Sequence, residues 1–253
     1  MVEVSPQSHP DPLTDKLSRT VVGHYVQFKR KRMKCAIHAI YDEKAGFLYA
    51  PIQKVACSSI KASLVDHFCS SQKIRRPEPK HKFVHKYFWS QPQFWMTLDA
   101  LAKSDLFKFC VVRDPVDRFI SGYRNRIFDN EDLIAGQTKE MNGEELPKFP
   151  DIDFFALHLA EYCAANERID WHFRPQAQII GEPAAFDRIY DISEIDVLYS
   201  DLKERCGVEL NRHRRNVSRA PEPTHLSPAA KKAVTEFYRA DYDAFAAVIR
   251  PKH

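Results

Sequence analysis

Residues 48–65 read Leu-Tyr-Ala-Pro-Ile-Gln-Lys-Val-Ala-Cys-Ser-Ser-Ile-Lys-Ala-Ser-Leu-Val, and they constrain the fold more than any other stretch of the chain. The apolar run ending near Ile52 reads as a buried strand. A tight segment of small and hydroxyl side chains follows, and Ile60 to Phe68 then takes up helical spacing. Strand, loop and helix N-terminus in this order make an anion site, because the first helical turn exposes unpaired N–H groups and carries partial positive charge. Lys54 adds a full positive charge, and Ser58 and Ser59 add hydroxyl donors. The glycines of a Walker loop are missing, and an ordinary strand-to-helix connection with a Ser cap satisfies the same pattern.

A second unit of the same kind lies downstream. Phe107 to Val112 is the most strand-like run in the chain and ends in Arg113-Asp114-Pro115. Val116, Phe119, Ile120, Tyr123 and Ile127 follow at helical spacing, and Pro115 suits a first helical turn. Arg113 therefore falls at the carboxyl end of a strand, with Ser121 about two turns into the next helix. Ligands of open α/β sheets collect at the carboxyl ends of the strands, so both units are expected to face one crevice.

With 253 residues the chain is long enough for one α/β domain, expected over 21–253 behind a flexible polar lead at 1–20. Seven glycines argue against a Gly-rich nucleotide fold, and the net charge of +4 suits a polyanionic ligand without requiring one. No apolar run reaches the ~18 residues of a transmembrane helix. The N-terminus lacks the apolar core of a secretory signal, which predicts a cytoplasmic protein, with a peripheral membrane position left open. Cys35, Cys57, Cys69, Cys110, Cys163 and Cys206 are scattered without a Cys-x-x-Cys pair, so they read as reduced thiols and not as zinc ligands.

Several segments could serve the site or simply be solvated. Residues 28–34 (Phe-Lys-Arg-Lys-Arg-Met-Lys) could steer an anionic acceptor or form a solvated face. Residues 72–95 interleave Lys73, Arg75, Arg76, Lys80, Lys82 and Lys86 with His81, His85 and aromatics, which makes His85 and then His81 candidate general bases. Residues 131–151 read as a polar loop, 153–166 as one amphipathic helix, and the last helix starts near Ser227-Pro228.

The motifs together resemble those of the carbohydrate sulfotransferase family, the group of chondroitin, dermatan and HNK-1 sulfotransferases and their bacterial relatives. Gln53-Lys-Val-Ala-Cys-Ser-Ser-Ile-Lys61 is similar to that family's 5′-phosphosulfate loop. Residues 109–126, Phe-Cys-Val-Val-Arg-Asp-Pro-Val-Asp-Arg-Phe-Ile-Ser-Gly-Tyr-Arg-Asn-Arg, are similar to its 3′-phosphate motif. Ile169-Asp-Trp-His-Phe-Arg-Pro-Gln176, the stretch from Phe186 to Asp201 and Phe237-Tyr-Arg-Ala-Asp-Tyr-Asp-Ala-Phe245 resemble later elements of the family, the second of these a strand. Gln53, Ser59 and Ile60 depart from its usual Pro, Asn and Trp.

The resemblance implies a P-loop-NTPase-like three-layer α/β fold with a mostly parallel central sheet. It implies transfer of a sulfuryl group from 3′-phosphoadenosine 5′-phosphosulfate (PAPS) to a hydroxyl of a carbohydrate or other acceptor, anionic acceptors included, with the 3′,5′-bisphosphate (PAP) as product. No metal and no nucleic acid enter this reaction. By the same resemblance Lys54 acts on the leaving group, while residues 53–60 (Gln53, Lys54, Val55, Ala56, Cys57, Ser58, Ser59, Ile60) hold the 5′-phosphate and sulfate. Arg113 and Ser121 hold the 3′-phosphate, Arg215 or Arg219 of a late basic loop assists, and His172 is a third candidate base. A P-loop kinase would want Gly-x-x-x-x-Gly-Lys-Ser/Thr and an acidic magnesium ligand, whereas a non-enzymatic polyanion binder would need only the basic tracts.

Overall fold

The computed structural model describes residues 36–71, 88, 92–133, 146–213 and 225–250. The polar lead, both basic tracts, His81, His85, Arg215 and Arg219 lie outside the described residues. The architecture is mixed α/β, with a largely parallel four-stranded sheet flanked by helices.

The sheet runs in the order β2 (Ile40–Asp42), β3 (Phe47–Ala50), β5 (Phe107–Val112) and β6 (Arg188–Asp191). β2 is antiparallel to β3, whereas β3, β5 and β6 are mutually parallel. All four residues of β3 and the last four of β5 are buried, the uniform burial that a parallel strand covered on both faces requires. A separate antiparallel pair joins β1 (Ala36–His38) to β4 (Trp95–Thr97).

The helix after β3 is α1 (Cys57–Ser71), three residues earlier at its start than apolar spacing alone indicates. Spacing registers only residues that pack, and Cys57, Ser58 and Ser59 are half-buried. α2 (Leu98–Ala102) precedes β5. α3 (Pro115–Tyr123) follows β5, with Asp114 as its cap accepting the Asp117 amide at 2.9 Å, and continues into a π-helical turn over Arg124–Asp129.

The amphipathic segment is two helices and not one: α4 (Ile152–Leu157) and α5 (Leu159–Ala165) break at His158, whose φ of −114° and ψ of 24° leave the helical region. Next come α6 (Glu167–Phe173) and α7 (Gln176–Ile180). The stretch from Phe186 to Asp201 is a strand only over β6. An Asp191/Glu194 capping box then turns the chain into α8 (Ile195–Cys206), which ends on the left-handed Gly207. α9 (Pro228–Phe237) begins at the Ser227 cap, and α10 (Arg239–Phe245) follows.

Two hydrophobic cores result. One gathers the sheet with Ile60, Leu64 and Val65 of α1, Leu198 and Leu202 of α8 and Phe245 of α10. The other is helical, built on Phe119, Phe155, Tyr162, Ile169, Phe173, Val234 and Tyr238. The polar loop at 131–151 is anchored at both described ends: Leu133 and Leu146 are buried, and the Pro147 and Pro150 carbonyls accept from the Tyr162 and Tyr123 hydroxyls at 2.8 Å each.

Candidate active site

β3 and β5 are parallel neighbours with Ala50 opposite Cys110, so the loop after β3 and the turn after β5 leave the sheet side by side. The two units singled out in the sequence therefore meet. A direct link joins them: the Arg118 side chain of α3 donates from Nε to the Gln53 carbonyl at 3.1 Å and from a terminal nitrogen to the His172 carbonyl at 3.2 Å. Arg118 is 1% exposed and lies 5.7 Å from the centre of the Tyr238 ring.

The loop itself is strained. Lys54 and Ala56 have φ of 68° and 63°, a region that costs a residue with a Cβ about 1–2 kcal/mol. Val55 and Cys57 do not share it, and such alternation of hand makes successive backbone N–H groups line a concavity for an anion. Val55 and Ile60 bury their side chains in the sheet core, and the Ser59 and Ile60 amides donate to the Ala56 carbonyl at 2.9 and 3.2 Å, so a ligand meets the backbone earlier in the loop. Gln53 adds a buried side-chain oxygen with no hydrogen bond.

Cations converge on this loop. Burial pulls the Lys54 ammonium down to about 8; Cys57 opposes the shift, and Arg126 and Arg113 deepen it. His172, at the end of α6, is pulled down to about 2 by burial and then by the charges of Arg126, Lys54, Arg118 and Arg168, and its buried Nδ1 has no hydrogen bond. Burial also lowers Arg113, whose Nε is buried without a hydrogen bond and whose terminal nitrogen is 3.9 Å from Asp117.

The Arg113 backbone is held by Gln176, which accepts from its amide at 3.1 Å and donates to its carbonyl at 2.9 Å. Gln176 reaches Asp241 at 3.3 Å, so the two later motifs meet behind Arg113 and fix its backbone. Ser121 is half-buried on α3, two turns beyond Arg113. The chain entering the late basic loop is docked on α1: Ser63 donates to the Asn211 carbonyl at 2.6 Å, and His213 pairs with Asp66.

Arg118, Arg126, Asp132 and Arg168 were not among the residues singled out by sequence. One sign of Arg118 was available, since Pro115, Arg118 and Gly122 fall on one line of α3 and all three are buried. None was available for Arg126, because the π turn shifts the helical phase before it.

Among the described residues no group of three His, Cys, Asp or Glu could hold a metal ion, and no helix is long and apolar enough to cross a membrane. Of the six cysteines, Cys57, Cys69, Cys110, Cys163 and Cys206 are free thiols, and Cys35 lies outside the described residues.

A sequence profile described as Sulfotransferase family matches residues 37–246. The chain belongs to this family. Comparison with curated proteins and with solved structures gives no match. A sulfotransferase moves a sulfuryl group to an acceptor hydroxyl, so the protein is a transferase, and the cation-rich loop lies inside the matched span.

Proposed function

We propose that this sulfotransferase uses PAPS as donor and delivers the sulfuryl group to a hydroxyl of a carbohydrate acceptor. The observation that carries the reading is the convergence of Lys54, Arg113, Arg118 and Arg126 at the ends of β3 and β5, where Arg113 keeps a buried Nε without a hydrogen bond although Asp117, Asp114 and Asp191 act on it. Lys54, Arg113, Arg118 and Arg126 act on one another across that space, and polar atoms of Gln53, Arg113 and His172 are buried there without partners. Leaving a buried donor unpaired is costly, and the phosphate and sulfate oxygens of a tetraanionic nucleotide supply an acceptor for Arg113 and a counter-charge for Lys54.

In this reading residues 53–60 form a P-loop-like cradle for the 5′-phosphosulfate through backbone N–H groups of a left-handed turn and a 15-residue helix. The Lys54 ammonium stabilises negative charge gathering on the bridging oxygen as the acceptor oxygen bonds to sulfur and the S–O bond to phosphate breaks. Arg113 and Ser121 hold the 3′-phosphate, which excludes ATP. His172 stays neutral amid four cations and accepts a proton poorly while the donor is absent, which keeps His85 ahead of it as the base, followed by His81.

Isothermal calorimetry with PAP, ATP and AMP tests the reading. PAP alone is expected to bind, and Arg113→Ala to weaken it about tenfold or more through loss of a charge-assisted contact. Equal binding of ATP, or no binding of PAP, refutes it.

A further inference from the structure

Arg126 has no assigned part in the reading above, yet an ion pair with a buried carboxylate holds it near the loop. α3 widens into a π turn at Arg124–Asp129, a distortion that recurs at functional sites, and Arg126 lies within it. Glu131 then takes a left-handed φ of 50°, and the chain folds back so that the Asp132 amide donates to the Arg126 carbonyl at 2.9 Å. The Asp132 carboxylate, 4% exposed, lies 2.7 Å from Arg126 Nε and 3.2 Å from a terminal nitrogen of Arg168. The contact to the inner nitrogen is an ion pair whose angle falls outside a hydrogen bond, and the two terminal nitrogens make no hydrogen bond to any described residue.

The surroundings of Arg126 do more than pair it. Asp132 faces both Arg126 and Arg168, but Arg168 is 60% exposed and keeps its charge in water, so the pair that matters is Arg126 with Asp132. The Arg126 charge is the strongest of those acting on the buried His172 ring, and the strongest cationic charge acting on Lys54. A structural ion pair has no need to press its arginine against a buried lysine, because that repulsion is pure cost in a donor-free protein. The cost is recovered when an anion lies between the two.

We propose that Arg126, clamped by Asp132, contacts the non-bridging oxygens of the sulfuryl group in transit and is a second catalytic cation beside Lys54. The inference rests on the PAPS reading and deepens it. Lys54 takes the charge appearing on the bridging oxygen of the departing phosphate, whereas Arg126 holds the three oxygens that travel with sulfur. A fork of two N–H donors suits those oxygens better than an ammonium does. Arg126 then distinguishes PAPS from PAP, because only PAPS carries the group it touches.

The test needs no acceptor. PAPS and PAP are titrated separately into the wild type, Arg126→Gln and Arg126→Lys. Arg126→Gln is expected to weaken PAPS about tenfold, the loss that goes with a hydrogen bond to a charged group, and to leave PAP within about twofold. Arg126→Lys is expected to fall between wild type and Gln for PAPS alone, which keeps the proposal testable if the neutral variant folds poorly. Equal weakening of both ligands assigns Arg126 to the nucleotide phosphates and overturns the proposal, as does an unchanged affinity for both. If the wild type binds PAP and not PAPS, the sulfuryl contact fails and the nucleotide site stands. If it binds neither, the donor reading falls and this inference with it.

Discussion

Lys54 combines two costs that a merely structural lysine would avoid, a left-handed backbone and a desolvated ammonium beside two guanidiniums. Its ammonium is held at about 8, against about 10.4 for a free lysine. Unfolding restores the ordinary value, so between those two limits the unfolded chain carries a proton that the folded chain lacks. The contribution of Lys54 to stability therefore rises with pH across that window. A bound polyanion acts in the opposite sense, favouring the charged form and drawing a proton onto Lys54. PAP binding at pH 8.5 is thus expected to take up a fraction of a proton, so that the apparent enthalpy differs between buffers of different ionisation heat. At pH 6.5 the Lys54 share of the uptake vanishes, and the phosphates of PAP, whose second pKa is about 6, release protons of their own. Lys54→Met should abolish the uptake at pH 8.5, and a buffer dependence there that survives the substitution would assign the proton elsewhere.

At the scale of elements, the approach of α6 to α3 sets where His172 stands, and Gly122 sets that approach. A Cβ built at Gly122 falls 2.7 Å from Cε1 and 2.9 Å from Cζ of Phe173. The Phe173 ring cannot yield easily, because the Phe119 and Phe155 rings lie 5.8 and 5.1 Å away, centre to centre. Gly122→Ala gains about 1 kcal/mol of helix propensity but overpacks a rigid contact at about 1–3 kcal/mol. A net loss is expected, seen as a lowered Tm together with weaker PAP binding, since α6 also supplies the His172 carbonyl to Arg118. Adding Phe173→Leu should recover part of both, and a Gly122→Ala protein that is more stable and binds normally would show that α6 does not position the site.

The same elements show what the sequence could tell. Strands β3 and β5 and the start of α3 were legible because continuous apolar runs ended at Pro, Asp and charged residues, and Lys54 and Arg113 were legible as charges at those ends. The break at His158 and the π turn were not, since neither carries a Gly or Pro. Arg118 and Asp132 escaped because their partners lie at Gln53, His172 and Arg168, contacts that only the folded chain creates, and Arg126 escaped because the π turn brings it to Asp132.

Across the whole molecule, the candidate site lies along the seam between the sheet core and the helical core. Polar side chains close that seam. Arg118 joins the loop after β3 to the end of α6, the Tyr238 hydroxyl donates to the Phe173 carbonyl at 2.6 Å, and Gln176 links Arg113 to Asp241. Two cores joined by such ties unfold together only while the ties outweigh the separate opening of either part. Arg118→Met keeps most of the side-chain volume and removes both donors, leaving the Gln53 and His172 carbonyls unpaired at about 1–3 kcal/mol each. Hydrogen exchange is the appropriate measurement, because it reads each element separately. In the wild type the amides of β3, β5, α3 and α6 should share one slow opening. In Arg118→Met those of α4 to α6 should exchange ahead of β3 and β5, and saturating PAP should narrow the gap by bridging the seam. Uniform acceleration of every element, with no gap for PAP to close, would mean that the two cores are coupled by apolar packing and that Arg118 serves the loop alone.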